Sequence, residues 1–115
     1  MSPQISTSEV QLHVLRLLAQ NPQIKQREVA TELGMSLGKV NYCIKALFNK
    51  GFIKVDNFKS SKNKLSYIYL LTPAGIAAKA ELTGQFLKVK MLEYEALQHE
   101  IETLRAEWIS HQEPV

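Results

Sequence analysis

A mainly α, α+β fold is predicted by three observations. Three short helical patterns fill the first half of the chain, two strand-forming runs joined by a polar hexapeptide follow, and no proline interrupts the chain between Pro73 and Pro114. The 115 residues suffice for a single small core.

The first helix is expected from about Thr7 to Gln20, with Val10, Val14, Leu17 and Leu18 on its core face and Ser6 and Glu9 at capping-box spacing. Asn21-Pro22 ends it. A second, short helix spans Gln26 to Leu33, and Gly34 follows where the chain must turn, since glycine accepts positive φ cheaply. The third opens at Ser36, whose hydroxyl is suited to cap a first-turn N–H, and runs to about Lys50, where Gly51 stops it. Leu37, Val40, Ile44, Leu47 and Phe48 form one apolar stripe on this helix, expected to be core. Ser36, Gly38, Lys39, Asn41, Tyr42 and Lys45 are left facing outward.

Phe52 to Phe58 and Leu65 to Leu71 read as an antiparallel pair, with Phe52, Ile53, Val55 and Phe58 as packing residues of the first strand and the β-formers Tyr67, Ile68 and Tyr69 in the second. Lys59-Ser60-Ser61-Lys62-Asn63-Lys64 lies between them, a polar hairpin loop or, with three lysines, a contact for phosphates or a minor groove. Two helices around a glycine turn followed by a two-stranded hairpin is the order of a winged helix-turn-helix.

Charge is segregated along the chain. Nine lysines and arginines stand against three carboxylates from Lys25 to Ser66, whereas from Glu93 to Val115 six glutamates face a single Arg105. A charge run alone is often only a solvated face. Here the cations coincide with the third helix and the hairpin loop, the elements that would lie along a groove, so double-stranded DNA is the expected partner. Lys39 and Lys45 suit phosphates. Asn41 either reads a base or only caps and solvates the helix, and Tyr42 either touches DNA or packs on the wing.

Ala30, Gly34 and Val40 stand at the spacings that helix-turn-helix families repeat: a small residue at a helix crossing, a turn glycine and a buried branched residue. With Gly51-Phe52-Ile53 leading into a strand and Tyr69-Leu70-Leu71-Thr72-Pro73-Ala74-Gly75 running into the last helix, residues from about Ser6 to Leu82 resemble MarR-family transcription regulators. The short chain and the sequence around the third helix are most similar to the short MarR-like regulators associated with exopolysaccharide gene clusters. The resemblance implies a DNA-binding repressor acting as a homodimer, with a small-molecule effector pocket beside its dimerisation helices; nothing else in the sequence supports an effector. Two features depart from the family. The first helix begins almost at once, where the family usually carries an extra N-terminal dimerisation helix. The Asp and Arg pair that commonly braces the wing is reduced to Asp56, followed by the cations Lys59, Lys62 and Lys64.

Pro73 is pre-organised to start a long helix, with Gly84 as its weak point, a kink or a close crossing. Residues 1–72 are thus expected as the winged DNA-binding part and 73–115 as a long helix continuing the same compact domain without a flexible linker. Tyr94, Leu97, Ile101, Leu104 and Trp108 alternate three and four residues apart, as heptad a and d positions do; Lys90 interrupts the pattern upstream. Packing of this seam on the chain's own body competes with self-association. A nearly all Glu and Gln opposite face, and the pairing of Glu100 with Arg105 in a parallel dimer, favour self-association through the C-terminal helix.

No run approaches the ~20 apolar residues of a membrane span. The N-terminus has no signal-peptide pattern, so a cytoplasmic location is expected. His13, His99 and His111 are far apart and the single Cys43 has no partner, so neither metal, cofactor nor disulfide is expected. Cys43 reads as a small hydrophobe in the third helix, or else as a redox switch of the sort found in some MarR-like proteins. No nucleophile elbow or phosphate loop suggests an enzyme. Besides DNA-binding regulation, the pattern is compatible with a winged helix that docks an acidic protein partner, and less well with RNA binding, for which Tyr42 is the sole candidate stacking aromatic.

Overall fold

The computed structural model describes residues 7–59 and 65–112, so the capping-box Ser6 and the loop residues Lys62 and Lys64 lie outside it. Helices α1 (Thr7–Gln20), α2 (Gln26–Leu33) and α3 (Leu37–Asn49) precede strands β1 (Ile53–Lys59) and β2 (Leu65–Leu71), and α4 (Pro73–Gln112) closes the order. Two compact units are distinguished, Met1–Thr83 and Gly84–Val115.

In the first unit, two positive-φ glycines set the turns. Gly34 (φ 62°) donates to the Thr31 carbonyl at 3.3 Å and Met35 to Ala30 at 2.9 Å, the pair of bonds that satisfies the last carbonyls of α2. Gly51 (φ 77°) repeats the device after α3, with Gly51 N–H on Phe48 and Phe52 N–H on Leu47, both at 3.0 Å. At the other end of α2, the Glu28 carboxylate accepts from the Lys25 N–H at 3.2 Å and supplies the first turn with a partner.

Val14, Leu15, Leu18, Ile24, Val29, Ala30, Val40, Cys43, Ile44, Leu47, Ile53 and Tyr69 form one core, with Val10, Leu17, Leu33, Met35, Phe52, Leu71 and Leu82 packed against it. The buried face of α1 is broader than the expected four residues. Leu12 and Leu15 are buried, while Val10 and Leu17 are only half-buried. The reason is that α1 packs on α2, α3 and β2 together, so more than one stripe is covered. The α3 stripe is correspondingly shorter than expected: Val40, Ile44 and Leu47 are buried and joined by Cys43, but Leu37 and Phe48 at its two ends are 45% and 52% exposed. Both lie on the flank of the stripe, where no neighbouring element covers them.

β1 and β2 pair antiparallel, from Ile53 opposite Leu71 to Lys59 opposite Leu65. The strand begins at Ile53, leaving Phe52 outside it as a half-buried residue whose carbonyl accepts the Thr72 N–H at 3.0 Å. Ile53 and Tyr69 bury the inner face, but Val55, expected to pack, is 41% exposed although it stands opposite the buried Tyr69. Phe58 is described as backbone only. Tyr69 also ties β2 to the segment between α1 and α2: its N–H donates to the Pro22 carbonyl at 3.0 Å and its hydroxyl accepts from Gln26 Nε2 at 3.1 Å.

A junction not read from the sequence joins the end of α3 to the start of α4. Thr72 Oγ1 accepts from the Gly75 N–H at 3.0 Å, capping α4, and donates to the Gly51 carbonyl at 2.5 Å. Pro73 then occupies the first helical position, where no N–H is needed. Gly75 is required by contact: a Cβ there would overlap the backbone of Phe52.

In the second unit the helix runs through Gly84, where a Cβ would meet nothing within 4 Å. The close backbone approach within the chain is at Gly75. No helix among the described residues is long and apolar enough to cross a membrane.

Candidate nucleic-acid interface

The side of α3 that the core leaves over is built by helical spacing. With Val40, Cys43, Ile44 and Leu47 turned inward, Gly38, Lys39, Tyr42, Lys45 and Asn49 are all exposed, Tyr42 at 77%. Ser36 takes the N-cap role expected of it, its Oγ accepting from the Lys39 N–H at 3.2 Å. This fixes the first turn of the helix and leaves the hydroxyl proton unused by that bond. Asn41 is half-buried on the flank of the helix. Lys39, Tyr42 and Lys45 are therefore brought onto one outward face, Ser36 lies at its start and Asn41 at its margin.

The charge of the face is cationic and solvated. Lys39 and Lys45 project within two turns of each other, and no acidic residue lies on α3. A polyanion laid along this face would meet ammonium groups and the Tyr42 hydroxyl without first having to displace an ion pair.

In the hairpin, Lys59 is described as backbone only, opposite Leu65, and Lys62 and Lys64 lie outside the described residues. Asp56 is exposed and its Oδ1 accepts from the Asn57 N–H at 3.0 Å, a local bond within its own strand. Two further polar residues are exposed, one on α3 and one on β1. Asn49 stands one turn beyond Lys45, and Lys54 alternates with the buried Ile53. Both signals were present in the sequence, as i+4 spacing in one case and strand alternation in the other.

Cys43 is buried among the core residues, and burial raises its thiol above the ordinary value, with Lys50 lowering it by a smaller amount. That environment holds the sulfur as a protonated thiol and suits the hydrophobic role over the redox one. Among the described residues no group of His, Cys, Asp or Glu is arranged to hold a metal ion.

On α4, Tyr94, Leu97, Ile101, Leu104 and Trp108 are all exposed, between 44% and 63%. Gln98 Nε2 donates to the Tyr94 hydroxyl at 3.1 Å, and the Trp108 and His111 rings stack at 6.4 Å. The rest of this unit is less polar than expected, because Val89, Leu92 and Ile109 are also exposed away from the seam.

Three helices, the Gly34 turn between α2 and α3, and an antiparallel hairpin after α3 decide the architecture. The fold is a winged helix-turn-helix. In agreement, residues 7–54 match the family model for winged helix-turn-helix DNA-binding domains. Among solved structures the chain is similar to smu.1704 from Streptococcus mutans, at 15% identity and a TM-score of 0.72 over 85% of this chain and 94% of that one. It is similar to the PadR-like transcriptional regulator BC4206 from Bacillus cereus, at 18% identity and a TM-score of 0.69 over 77% and 91%. The adhesin competence repressor AdcR from Streptococcus pyogenes is similar at 22% identity, with a TM-score of 0.61 over 90% of this chain and 78% of that one. Another AdcR structure, similar at 23% identity and a TM-score of 0.58 over 98% of this chain and 80% of that one, is described as a zinc-dependent MarR family transcriptional regulator in the Zn(II)-bound state. A comparison with curated proteins gave no match.

Proposed function

We propose that the protein is a sequence-specific DNA-binding transcriptional regulator, a repressor that occupies promoter DNA as a homodimer joined through α4. The observation that carries this reading is the outward face of α3, where Lys39, Tyr42 and Lys45 stand together over an apolar buried face. In this reading α3 lies in the major groove, Lys39 and Lys45 hold phosphates, and Asn41 and Tyr42 reach base edges. Lys59, Lys62 and Lys64 of the hairpin follow the adjoining backbone. The similarity to MarR-type and PadR-like regulators supports the assignment to transcription control. Exopolysaccharide genes are the proposed targets, on the sequence resemblance around α3 alone.

Duplex-DNA binding measured by fluorescence anisotropy across a salt series tests the proposal. Each neutralised phosphate releases about 0.9 counterion, so affinity is expected to fall steeply on a log-log plot, and a slope near zero sinks the DNA reading. Within the same assay, Lys62→Ala with Lys64→Ala should weaken all sequences about equally. Asn41→Ala should cost ~1 to 3 kcal/mol on the operator and little on random DNA, and equal losses on both would reduce Asn41 to a positioning residue.

A further inference from the structure

We propose that two copies pair along α4 in parallel and in register, with Glu100 of each copy facing Arg105 of the other. The proposal deepens, and rests on, the reading of α4 as the dimerisation helix. With Tyr94, Ile101 and Trp108 as a positions and Leu97 and Leu104 as d positions, the heptad extends upstream to Leu87 (a) and Lys90 (d). Leu87, like the five seam residues, is exposed in the single chain, so a partner helix has an apolar surface to cover.

The residues flanking the seam choose the orientation. The g positions are Phe86, Glu93, Glu100 and Glu107, and the e positions are Met91, Gln98, Arg105 and Gln112. A parallel pair sets each g residue against the following e residue of the second copy, giving Phe86 with Met91, Glu93 with Gln98, Glu100 with Arg105, and Glu107 with Gln112. The first contact is apolar, the third is oppositely charged, and the other two set a carboxylate against an uncharged amide. An antiparallel pair instead sets g against g. Since Glu93, Glu100 and Glu107 occupy every g position beside the seam, any antiparallel register covering it places glutamate against glutamate. Repulsion in the wrong orientation thus adds to attraction in the right one.

Lys90, the one charged residue at the seam positions from Leu87 to Trp108, fits this arrangement. Its Nζ lies 3.1 Å from the Glu93 carboxylate and 5.0 Å from the centre of the Phe86 ring. Both partners are g residues, so the ammonium is drawn to the rim while its methylene stem covers the seam. Two chains leave that rim open to water.

Orientation is read from the full chain carrying Cys43→Ala and Leu97→Cys, oxidised in a glutathione buffer. Parallel pairing brings the two residue-97 thiols into the same layer, and a disulfide-linked dimer is expected. A dimer by sedimentation that fails to cross-link overturns the parallel arrangement and leaves dimerisation through α4 standing; a monomeric natural chain overturns both. Glu100→Arg in the natural chain supplies a second measurement that does not touch the core. In the parallel arrangement it sets Arg against Arg and weakens the dimer by on the order of tenfold, and adding Arg105→Glu restores it. Tighter association of Glu100→Arg alone would mark relief of glutamate repulsion, and so an antiparallel pair.

Discussion

The winged unit and the second unit, residues 84–115, hold similar fractions of apolar residues yet treat them in opposite ways. In the first, Val14, Leu15, Leu18, Val29, Val40 and Leu47 are wholly buried by neighbours from other elements of the same chain. In the second, Leu87, Leu97, Leu104 and Trp108 are each more than half exposed. Covering a large side chain contributes ~1.5 to 3 kcal/mol, so the winged unit draws its stability from within one chain, and the seam gains the same term only when another helix lies on it. A helix alone is marginal in water, and its local pairs, such as Lys90 with Glu93, contribute only a few tenths of a kcal/mol each. In the proposed dimer, folding belongs to one unit and assembly to the other.

The largest expected break of this contrast is Ile101→Asp. It removes the burial of two isoleucines from a dimer and adds two unpaired carboxylates, a loss of at least ~3 kcal/mol in association. Sedimentation at micromolar concentration should show a dimer for the natural chain and a monomer for the variant, with circular dichroism of the winged unit retained. A dimeric variant would place the interface elsewhere. Operator affinity should fall with it, because two half-sites are read cooperatively only when the heads are tethered.

Leu47→Ala probes the other side of the comparison. A cavity in the core of the winged unit should cost ~2 to 5 kcal/mol of unfolding free energy in denaturant titration, whereas Leu97→Ala should leave the stability of the dilute monomer unchanged. Equal losses from the two substitutions would show that the seam is covered within one chain.

Thr72→Ala should cost a smaller ~0.5 to 2 kcal/mol, since it deletes the α4 cap and the bond to the Gly51 carbonyl together. Thr72→Ser keeps both bonds and should restore most of the melting temperature. The smallest effect is at Cys43, where alkylation should be slow in the folded protein and rapid in denaturant at the same pH. Rapid labelling of the folded chain would contradict the buried thiol. Because burial raises this group, its contribution to stability is complete below the ordinary thiol range and is lost as pH climbs through the folded value.

Element order, the Gly34 and Gly51 turns, the Ser36 cap and the outward lysines of α3 were legible because each depends on residues within about one helical turn of one another. Asn49 and Lys54 carried the same local signals and were passed over. The burial of Leu12 and Leu15 was not legible, nor the exposure of Leu37 and Phe48, because which flank of a helix is covered depends on the elements that dock against it. The same holds for the need for glycine at residue 75, which arises from a backbone carbonyl at Phe52. Thr72 with Gly51, and Tyr69 with Gln26 and Pro22, likewise join residues 21 to 47 positions apart. Local spacing determines where a helix begins and which residues can share a face; only the packed chain decides which of those faces meets protein and which meets water.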